Sequence, residues 1–207
     1  MIRPPGFPGV AFSTASDGDL RGNAFDRASV SVRLGVDEDW ATVTQVHGST
    51  VVLALEAGDQ GQADAIFTTE RGLPVAVLTA DCLGVALTAK GAVGVAHAGW
   101  RGIAAGVVPA LIEAMREAGR PPVGAAIGPG IGPCCYEVGP EVVAEIPQSA
   151  ATTTWDTESV DLVRAVRSQL EGLEVWESGE CTLCSEGLHS HRRNRTPERM
   201  ATIAWIT

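Results

Sequence analysis

The stretch from Pro74 to Gly102, PVAVLTADCLGVALTAKGAVGVAHAGWRG, contains three apolar segments of strand length. β-Branched and other apolar residues over Pro74–Thr79, Gly84–Thr88 and Val93–His97 predict three β-strands. Short polar or glycine-containing segments separate the three runs. The stretch therefore predicts a β-rich core.

Further elements are predicted on both sides of this stretch. The expected additional strands are Thr42–Val46, Thr50–Ala54, Ala65–Thr69, Val175–Trp176 and Ala201–Trp205. The expected helices are Gly102–Ala118, Pro140–Ile146 and Thr157–Leu170. Pro109 is expected to kink the first helix or delay its regular part. Strands mixed with helices, without strict alternation, predict an α/β (α+β) fold over residues 1–207: a single domain with a mixed β-sheet core flanked by helices.

The composition excludes several classes of protein. The 207 residues include 15 Lys and Arg against 25 Asp and Glu, a net charge of −10. Hydrophobic residues make up 45% of the chain, which is enough to form a core and argues against disorder. An acidic chain lacks the clustered cations that bind nucleic acid or anionic membranes. We therefore expect small-molecule partners, no nucleic acid and no membrane; the oligomeric state is left open.

Several features predict a cytoplasmic location. Met1–Ser16 has no continuous apolar stretch of the kind found in secretory signals. The most apolar run, Leu73–Ala89, is interrupted by Asp81 and is shorter than the roughly 20 residues of a membrane span. The five cysteines are odd in number and unevenly spaced, which is typical of a reducing compartment.

Three side chains suited to metal binding come at or just beyond the ends of predicted strands. They are His47, Cys82 and His97. Two imidazoles and a thiolate form a catalytic zinc set that leaves a fourth position for water or substrate. Their separations match no local zinc-finger pattern, so a buried free cysteine with two hydrogen-bonded histidines remains an alternative interpretation.

The remaining cysteines form one CxxC pair, Cys181 and Cys184, and one vicinal pair, Cys134 and Cys135. A structural zinc site made of these four cysteines is an alternative, but it is disfavoured because a second CxxC at zinc-ribbon spacing is absent. Glu180 flanks the CxxC and disfavours a reactive redox thiol. We expect Cys181 and Cys184 to be neither disulfide-bonded nor metal-bound, with Cys181 packed near the His47, Cys82 and His97 site.

A cationic cluster, His189-x-His191-Arg192-Arg193, lies near the carboxyl end. Guanidinium groups bind phosphate in a bidentate manner, so one interpretation is an anion site. The alternative interpretation is a solvated loop, since runs of arginine are usually exposed.

Several motifs occur together in an order that resembles the laccase-domain family, also called multicopper polyphenol oxidoreductases and purine nucleoside phosphorylases. They are QVHG at 45–48, ADA at 63–65, TADC at 79–82, HAGWRG at 97–102, AIGPGIG at 126–132, YEV at 136–138, CT at 181–182 and SHRR at 190–193. Family proteins bind zinc through the histidines of QVHG and HAGWRG and the cysteine of TADC. The resemblance therefore implies that His47, Cys82 and His97 bind zinc.

The resemblance also implies an enzyme that acts on adenosine, inosine or methylthioadenosine. Phosphorolysis needs an anion site, for which Arg101, Arg192 and Arg193 are the candidates. Arg101 precedes the predicted Gly102–Ala118 helix, whose amino end would also favour an anion. Gln45 is a candidate substrate-binding residue.

Adenosine deamination is a second implied activity, and an open zinc position is suited to the attacking water. Asp64 and Asp81 are the candidate acid/base groups for catalysis, although both are equally consistent with turn residues.

Three other hypotheses remain. A copper-dependent phenol oxidase needs several histidine-rich copper sites, and the chain has four histidines in total; the His–Cys–His set is nevertheless able to bind copper. A cysteine hydrolase would use Cys82 as nucleophile and His97 as base. A binding protein would show no turnover. Metal content and a nucleoside assay distinguish these hypotheses.

Overall fold

Two β-sheets face each other in the computed structural model, which describes residues 1–207. The strands are β1 Val10–Phe12, β2 Ala41–Thr44, β3 Val51–Ala54, β4 Gly58–Gln62, β5 Ala65–Thr68, β6 Val75–Thr79, β7 Leu83–Ala89, β8 Ala92–Ala98, β9 Gly124–Ile127, β10 Ala150–Thr152, β11 Glu158–Val160, β12 Glu174–Glu177 and β13 Met200–Ala204. The helices are α1 Ala24–Leu34, α2 Trp100–Ala104, α3 Val107–Glu117, α4 Pro140–Glu145, α5 Leu162–Arg167 and α6 His191–Asn194.

The first sheet has the order β1-β13-β6-β2-β4 and the second has the order β12-β9-β7-β8-β5-β3, while β10 and β11 form a separate hairpin. Both large sheets contain parallel and antiparallel pairs. Alternating residues of β8 explain the layering: Val93 and Val95 pack between the sheets, whereas Ala92 and Ala96 pack in the cluster that contains α3. The expected single domain with a mixed β-sheet core flanked by helices is confirmed, with the core divided between two sheets.

The strand predictions around the central stretch hold to within one or two residues. The structure has β6, β7 and β8 where three apolar runs predicted them, and β2, β3, β5, β12 and β13 at the other expected places. The predicted helix over Pro140–Ile146 is α4. These elements were identifiable because a short run of β-branched residues in a buried strand has few alternative structures.

Two predicted helices differ from the observed ones. The expected Gly102–Ala118 helix is interrupted at Gly106, whose φ of +79° is left-handed, so that α2 and α3 are separate. Pro109 lies in the first turn of α3, where a backbone N–H has no partner within the helix, and it causes no kink there. The expected Thr157–Leu170 helix begins as β11 and becomes helical only after Asp161, whose carboxylate accepts from the Arg164 N–H at 3.0 Å.

Six elements were not predicted from the sequence: β1, α1, β4, β9, β10 and α6. The strand β4 is mostly exposed and rich in glycine and polar residues, so its composition resembles that of a loop. The helix α1 covers the outer face of the first sheet, where Val30 and Leu34 pack near Trp40. None of the helices has both the length and the apolar character needed to cross a membrane.

Candidate functional site

The register of β7 and β8 brings Cys82 and His97 together. His97 pairs with Gly84 across the two antiparallel strands, and Cys82 immediately precedes β7. His47 follows β2 and completes the group, so that one ligand atom from each of the three side chains lies within 4.8 Å of the others. The two imidazole rings are 4.8 Å apart at an interplanar angle of 76°. The structure thus places together the three residues that the strand-end argument selected.

The buried carboxylate of Asp64 forms hydrogen bonds to two parts of this cluster. Asp64 is completely buried, and its Oδ1 lies 2.8 Å from Nδ1 of His97 and accepts the His47 N–H at 2.9 Å. Its Oδ2 accepts the N–H groups of Gly48 at 2.7 Å and Val46 at 3.1 Å. Asp64 therefore fixes the loop that carries one histidine and the ring orientation of the other.

The electrostatics of the cluster favour a thiolate. Burial alone would raise the pKa of Cys82, but hydrogen bonds from His47 and His97 outweigh it and bring this pKa to about 6. Burial alone would likewise lower the pKa of His97, yet its hydrogen bonds to Asp64 and Cys82 raise that pKa to about 9. The thiolate is also the form of cysteine that binds a metal.

The local backbone is shaped for close approach at this point. A Cβ at Gly99 would lie 2.8 Å from the Cys82 sulfur and 3.4 Å from Cδ2 of His47, so no larger residue fits. His47 and Asp81 have positive φ angles of 62° and 93°. Such strained backbone conformations are concentrated at functional sites; here His47 belongs to the cluster and Asp81 directly precedes Cys82.

The cluster lies on the wall of a cavity of about 590 Å³. This volume is within the range of small-molecule sites, about 300–1,000 Å³. The residues that contribute charged or hydrogen-bonding side chains are Arg21, Thr44, Gln45, His47, Thr79, Asp81, Cys82, His97, Tyr136, His191, Arg192 and Arg199. Three arginines in an acidic protein give this cavity a local positive potential.

Asp81 connects the cavity to the segment near the carboxyl end. Its Oδ1 accepts the Thr182 hydroxyl at 2.7 Å, and its Oδ2 accepts the backbone N–H of Arg192 at 2.6 Å. The Arg192 guanidinium donates to the Glu137 carbonyl at 2.8 Å and lies 5.2 Å from the centre of the Tyr136 ring. Asp81 therefore orders the start of α6 and the arginine that it carries.

Of the two candidate residues Gln45 and Arg101, only Gln45 lines the cavity. Gln45 lines it, but its amide bridges to the Leu78 backbone through two bonds of 2.8 Å. Arg101 is not among the lining residues; it is exposed and stacks on the Trp100 ring at 4.3 Å. The five-residue helix α2 replaces the long helix expected to begin beside it.

Arg193 also lies outside the cavity lining. Its guanidinium donates to the backbone carbonyls of Leu188 at 2.6 Å, Ser185 at 2.8 Å, Thr182 at 2.9 Å and Leu183 at 3.3 Å. The side chain of Arg193 is thus engaged in holding the preceding loop.

A family model described as multi-copper polyphenol oxidoreductase laccase matches residues 13–207. The chain belongs to this family. The resemblance inferred from the motifs is thereby confirmed.

Relatives and solved structures of the family cover most of the chain. A purine nucleoside phosphorylase of Streptomyces coelicolor is 40% identical over 196 residues, which cover 87% of this chain and 81% of the relative. One of Streptomyces griseus is 40% identical over 199 residues, with coverage of 87% and 80%. The crystal structure of YlmD from Geobacillus stearothermophilus superposes with a TM-score of 0.86 at 28% identity, and covers 100% of this chain and 98% of that one.

Several residues that line the cavity were not among the site residues predicted from the sequence. Arg21 had no signal, because it lies in a loop far from every motif. Tyr136 stood within a recognised motif but was given no role, and His191 was named only as part of the cationic cluster. Arg199 precedes β13, and only the pairing of that strand with β6 brings it to the cavity.

The four other cysteines converge at a second place. Cys134, Cys135, Cys181 and Cys184 have sulfur atoms that all lie within 4.8 Å of one another. The sequence has no second CxxC, but the vicinal pair Cys134 and Cys135 takes that place in the structure, so the expectation that Cys181 and Cys184 bind no metal loses the basis on which it was made. Cys181 is also absent from the cavity lining where it was expected to pack.

Proposed function

We propose that this family member is a cytoplasmic, zinc-dependent purine nucleoside phosphorylase acting on adenosine, inosine or methylthioadenosine. The observation that carries the proposal is a His–Cys–His donor set on the wall of a 590 Å³ cavity that also contains three arginines. The names of the two Streptomyces relatives support the same reaction class.

The donor set fits zinc. Two imidazole nitrogens and a thiolate are common zinc ligands, and three protein ligands leave a fourth position. Asp64 engages Nδ1 of His97, which leaves Nε2 free to face Cys82 and a metal. When bound, zinc would supply a Lewis acid beside the substrate. Copper chemistry of the multicopper type is disfavoured, since the chain has four histidines in total.

In phosphorolysis, a phosphate oxygen forms a bond to C1′ of the ribose while the bond from C1′ to the base nitrogen breaks. The base leaves with the bonding electrons and takes up a proton. We assign the phosphate to Arg192 and Arg199, with Arg21 nearby, because these guanidinium groups line the cavity. Arg101 and Arg193 lie outside the cavity and are not assigned to phosphate binding in this proposal.

The two aspartates have different roles in this proposal. Asp64 is a positioning residue, because both of its oxygens are occupied by N–H groups and its side chain is completely buried. Asp81 lines the cavity and holds the backbone of Arg192, so it orients the phosphate-binding residue and faces the substrate. Tyr136 and His191 provide further polar contacts to a nucleoside.

The test is phosphate-dependent release of free purine from adenosine, inosine and methylthioadenosine by protein of known zinc content. We expect ribose 1-phosphate or its methylthio analogue as the second product. Arg199→Ala and Arg192→Ala should each raise the KM for phosphate by about 10-fold or more, since a charged hydrogen bond is worth about 1.5–3 kcal/mol. Arg116→Ala, on the exposed face of α3, is the matched control.

Two results would contradict the proposal. One is the absence of phosphate-dependent cleavage in zinc-loaded protein. The other is a phosphate KM that responds to Arg101→Ala and not to Arg192→Ala or Arg199→Ala, which would place the anion outside the cavity.

Adenosine deamination is a second candidate, favoured by a three-residue donor set whose remaining position can accept water. Water would add at C6 and ammonia would leave, giving inosine. Formation of inosine and ammonia without phosphate, unchanged in Arg199→Ala, would identify this activity. Its absence would restrict the enzyme to phosphorolysis.

A cysteine hydrolase is favoured by one observation, the low pKa of Cys82 beside His97. Stoichiometric zinc on Cys82 would leave no free nucleophile. Rapid alkylation of Cys82 in active, metal-free protein would support the hydrolase over the phosphorylase.

A further inference from the structure

The second group of cysteines comes from two loops that are far apart in sequence. Cys134 and Cys135 follow β9, and Cys181 and Cys184 follow β12. The strands β9 and β12 pair in parallel, so their carboxyl ends lie at the same sheet edge. A bridge between Gly130 and Cys181 continues this pairing into the loops.

The spacing of the sulfur atoms suits a single tetrahedral ion. The distance from Cys135 to Cys184 is 3.2 Å, from Cys134 to Cys135 3.4 Å, and from Cys134 to Cys184 3.7 Å. Around zinc with Zn–S bonds of about 2.3 Å, tetrahedral sulfur atoms lie about 3.8 Å apart. An iron–sulfur cluster would divide the four thiolates among two or four irons and spread the sulfur atoms further.

The backbone around Cys181 is arranged as it is around a thiolate ligand. The Gly132 N–H donates to its sulfur at 3.2 Å, and the N–H groups of Cys184 and Leu183 also face it. Cys184 is exposed, which leaves a route for a metal ion to enter.

The alternatives explain these contacts less well. All five cysteines are free, and the three closest sulfur pairs are separated by more than the roughly 2.05 Å of a disulfide bond. Four thiols without a metal would gain only weak S–H hydrogen bonds from their convergence. Thiolate ligands select zinc among common divalent ions.

We infer that Cys134, Cys135, Cys181 and Cys184 bind a second, structural zinc ion that joins the loop after β9 to the loop after β12. This ion is separate from the one assigned to His47, Cys82 and His97. It would fix the neighbouring residues Tyr136 and Thr182, the first of which lines the cavity and the second of which bonds Asp81.

The test is the zinc content of the full chain, purified without chelator from zinc-supplemented cells and measured by mass spectrometry of the metal. Wild type should contain two zinc ions per chain. Cys184→Ser should contain one, and the matched loop control Ser185→Ala should retain two. Cys82→Ser should also contain one, which separates a failure of this inference from a failure of the proposed function.

Cobalt substitution identifies which site remains. Cys82→Ser loaded with cobalt should show intense thiolate-to-metal charge-transfer absorption from four sulfurs, and Cys184→Ser should show only the weak absorption of a single thiolate. In wild type, all five thiols, the four of this group and Cys82, should resist alkylation until a strong chelator is added, a measurement that needs no variant.

Three results would overturn the inference. One is a single zinc ion in wild type that Cys184→Ser leaves in place. Another is a mass loss of two hydrogens in the wild-type chain, which would show a disulfide. The third is iron in place of zinc at the four cysteines in protein grown with both metals.

Discussion

Replacement of Asp64 by asparagine tests how the candidate metal cluster is held. The carboxylate accepts four N–H groups at 2.7–3.1 Å, from Val46, His47, Gly48 and His97, and is completely buried. Asparagine has almost the same shape but presents an NH₂ group in place of one acceptor oxygen. If the remaining oxygen keeps His47 and His97, the amide nitrogen faces the N–H groups of Val46 and Gly48.

The expected loss follows from these contacts. Two hydrogen bonds to a charged acceptor are lost, each worth about 1.5–3 kcal/mol, so the free energy of unfolding should fall by about 3–6 kcal/mol. The hydrogen bond that orients the His97 ring also becomes weaker, because its acceptor is no longer charged. Loss of a hydrogen bond that orients a metal ligand typically lowers metal affinity by about 10–100-fold. The variant should therefore bind zinc less tightly even where it remains folded.

The assay has two parts with one matched control. Urea unfolding at 25 °C gives the stability, and competition with a chromophoric chelator gives the zinc affinity of the folded protein. Asp59→Asn is the control, because that exposed carboxylate accepts only from Thr44 and Gly61. Unchanged zinc affinity in Asp64→Asn, or an equal loss in Asp59→Asn, would refute the supporting role.

The remaining predictions concern the backbone, the cavity and the pH dependence of stability. Gly99→Ala should lower zinc affinity, measured by the same competition, because its Cβ would lie 2.8 Å from the Cys82 sulfur; unchanged affinity would contradict the fit. Asp81→Asn should raise the KM for phosphate, since an amide NH₂ cannot accept the Arg192 N–H, while asparagine tolerates the positive φ; an unchanged KM would separate Asp81 from phosphate binding. Burial would raise the pKa of Asp17, but its hydrogen bonds hold that pKa below its usual value, so its contribution to stability is present above about pH 4 and is lost as the pH falls through the folded-state pKa. Wild type should therefore exceed Asp17→Asn in unfolding free energy by about 2–3 kcal/mol at pH 6 and by less at pH 3, and an equal gap at both values would be the contrary result.

Local patterns in the sequence were sufficient to predict the strands around the site and to select His47, Cys82 and His97. Apolar β-branched runs defined the strands around Cys82 and His97, because burial leaves such runs few other structures. Placement at strand ends then selected those two residues together with His47. What the pattern did not contain was the register: the pairing of His97 with Gly84 decides that the side chains meet.

Helix ends were harder to place, because they depend on contacts outside the helix. Gly106 interrupts an otherwise continuous amphipathic pattern. Asp161, which caps α5, comes directly after the strand β11, and the periodicity had included that strand in the helix. The arginines show the same limit. Their residue type is suited to phosphate whether they face the cavity, as Arg199 does, or support a loop, as Arg193 does.

The sequence alone determined a mixed α/β domain of the laccase-like family and the three residues of its candidate metal cluster. The four-cysteine group was decided only by the tertiary structure. Its two pairs are separated by about 50 residues, and the vicinal pair does not have the CxxC spacing of a zinc motif. The parallel pairing of β9 with β12 brings their following loops to one edge of the sheet, and no local pattern records which strands become neighbours.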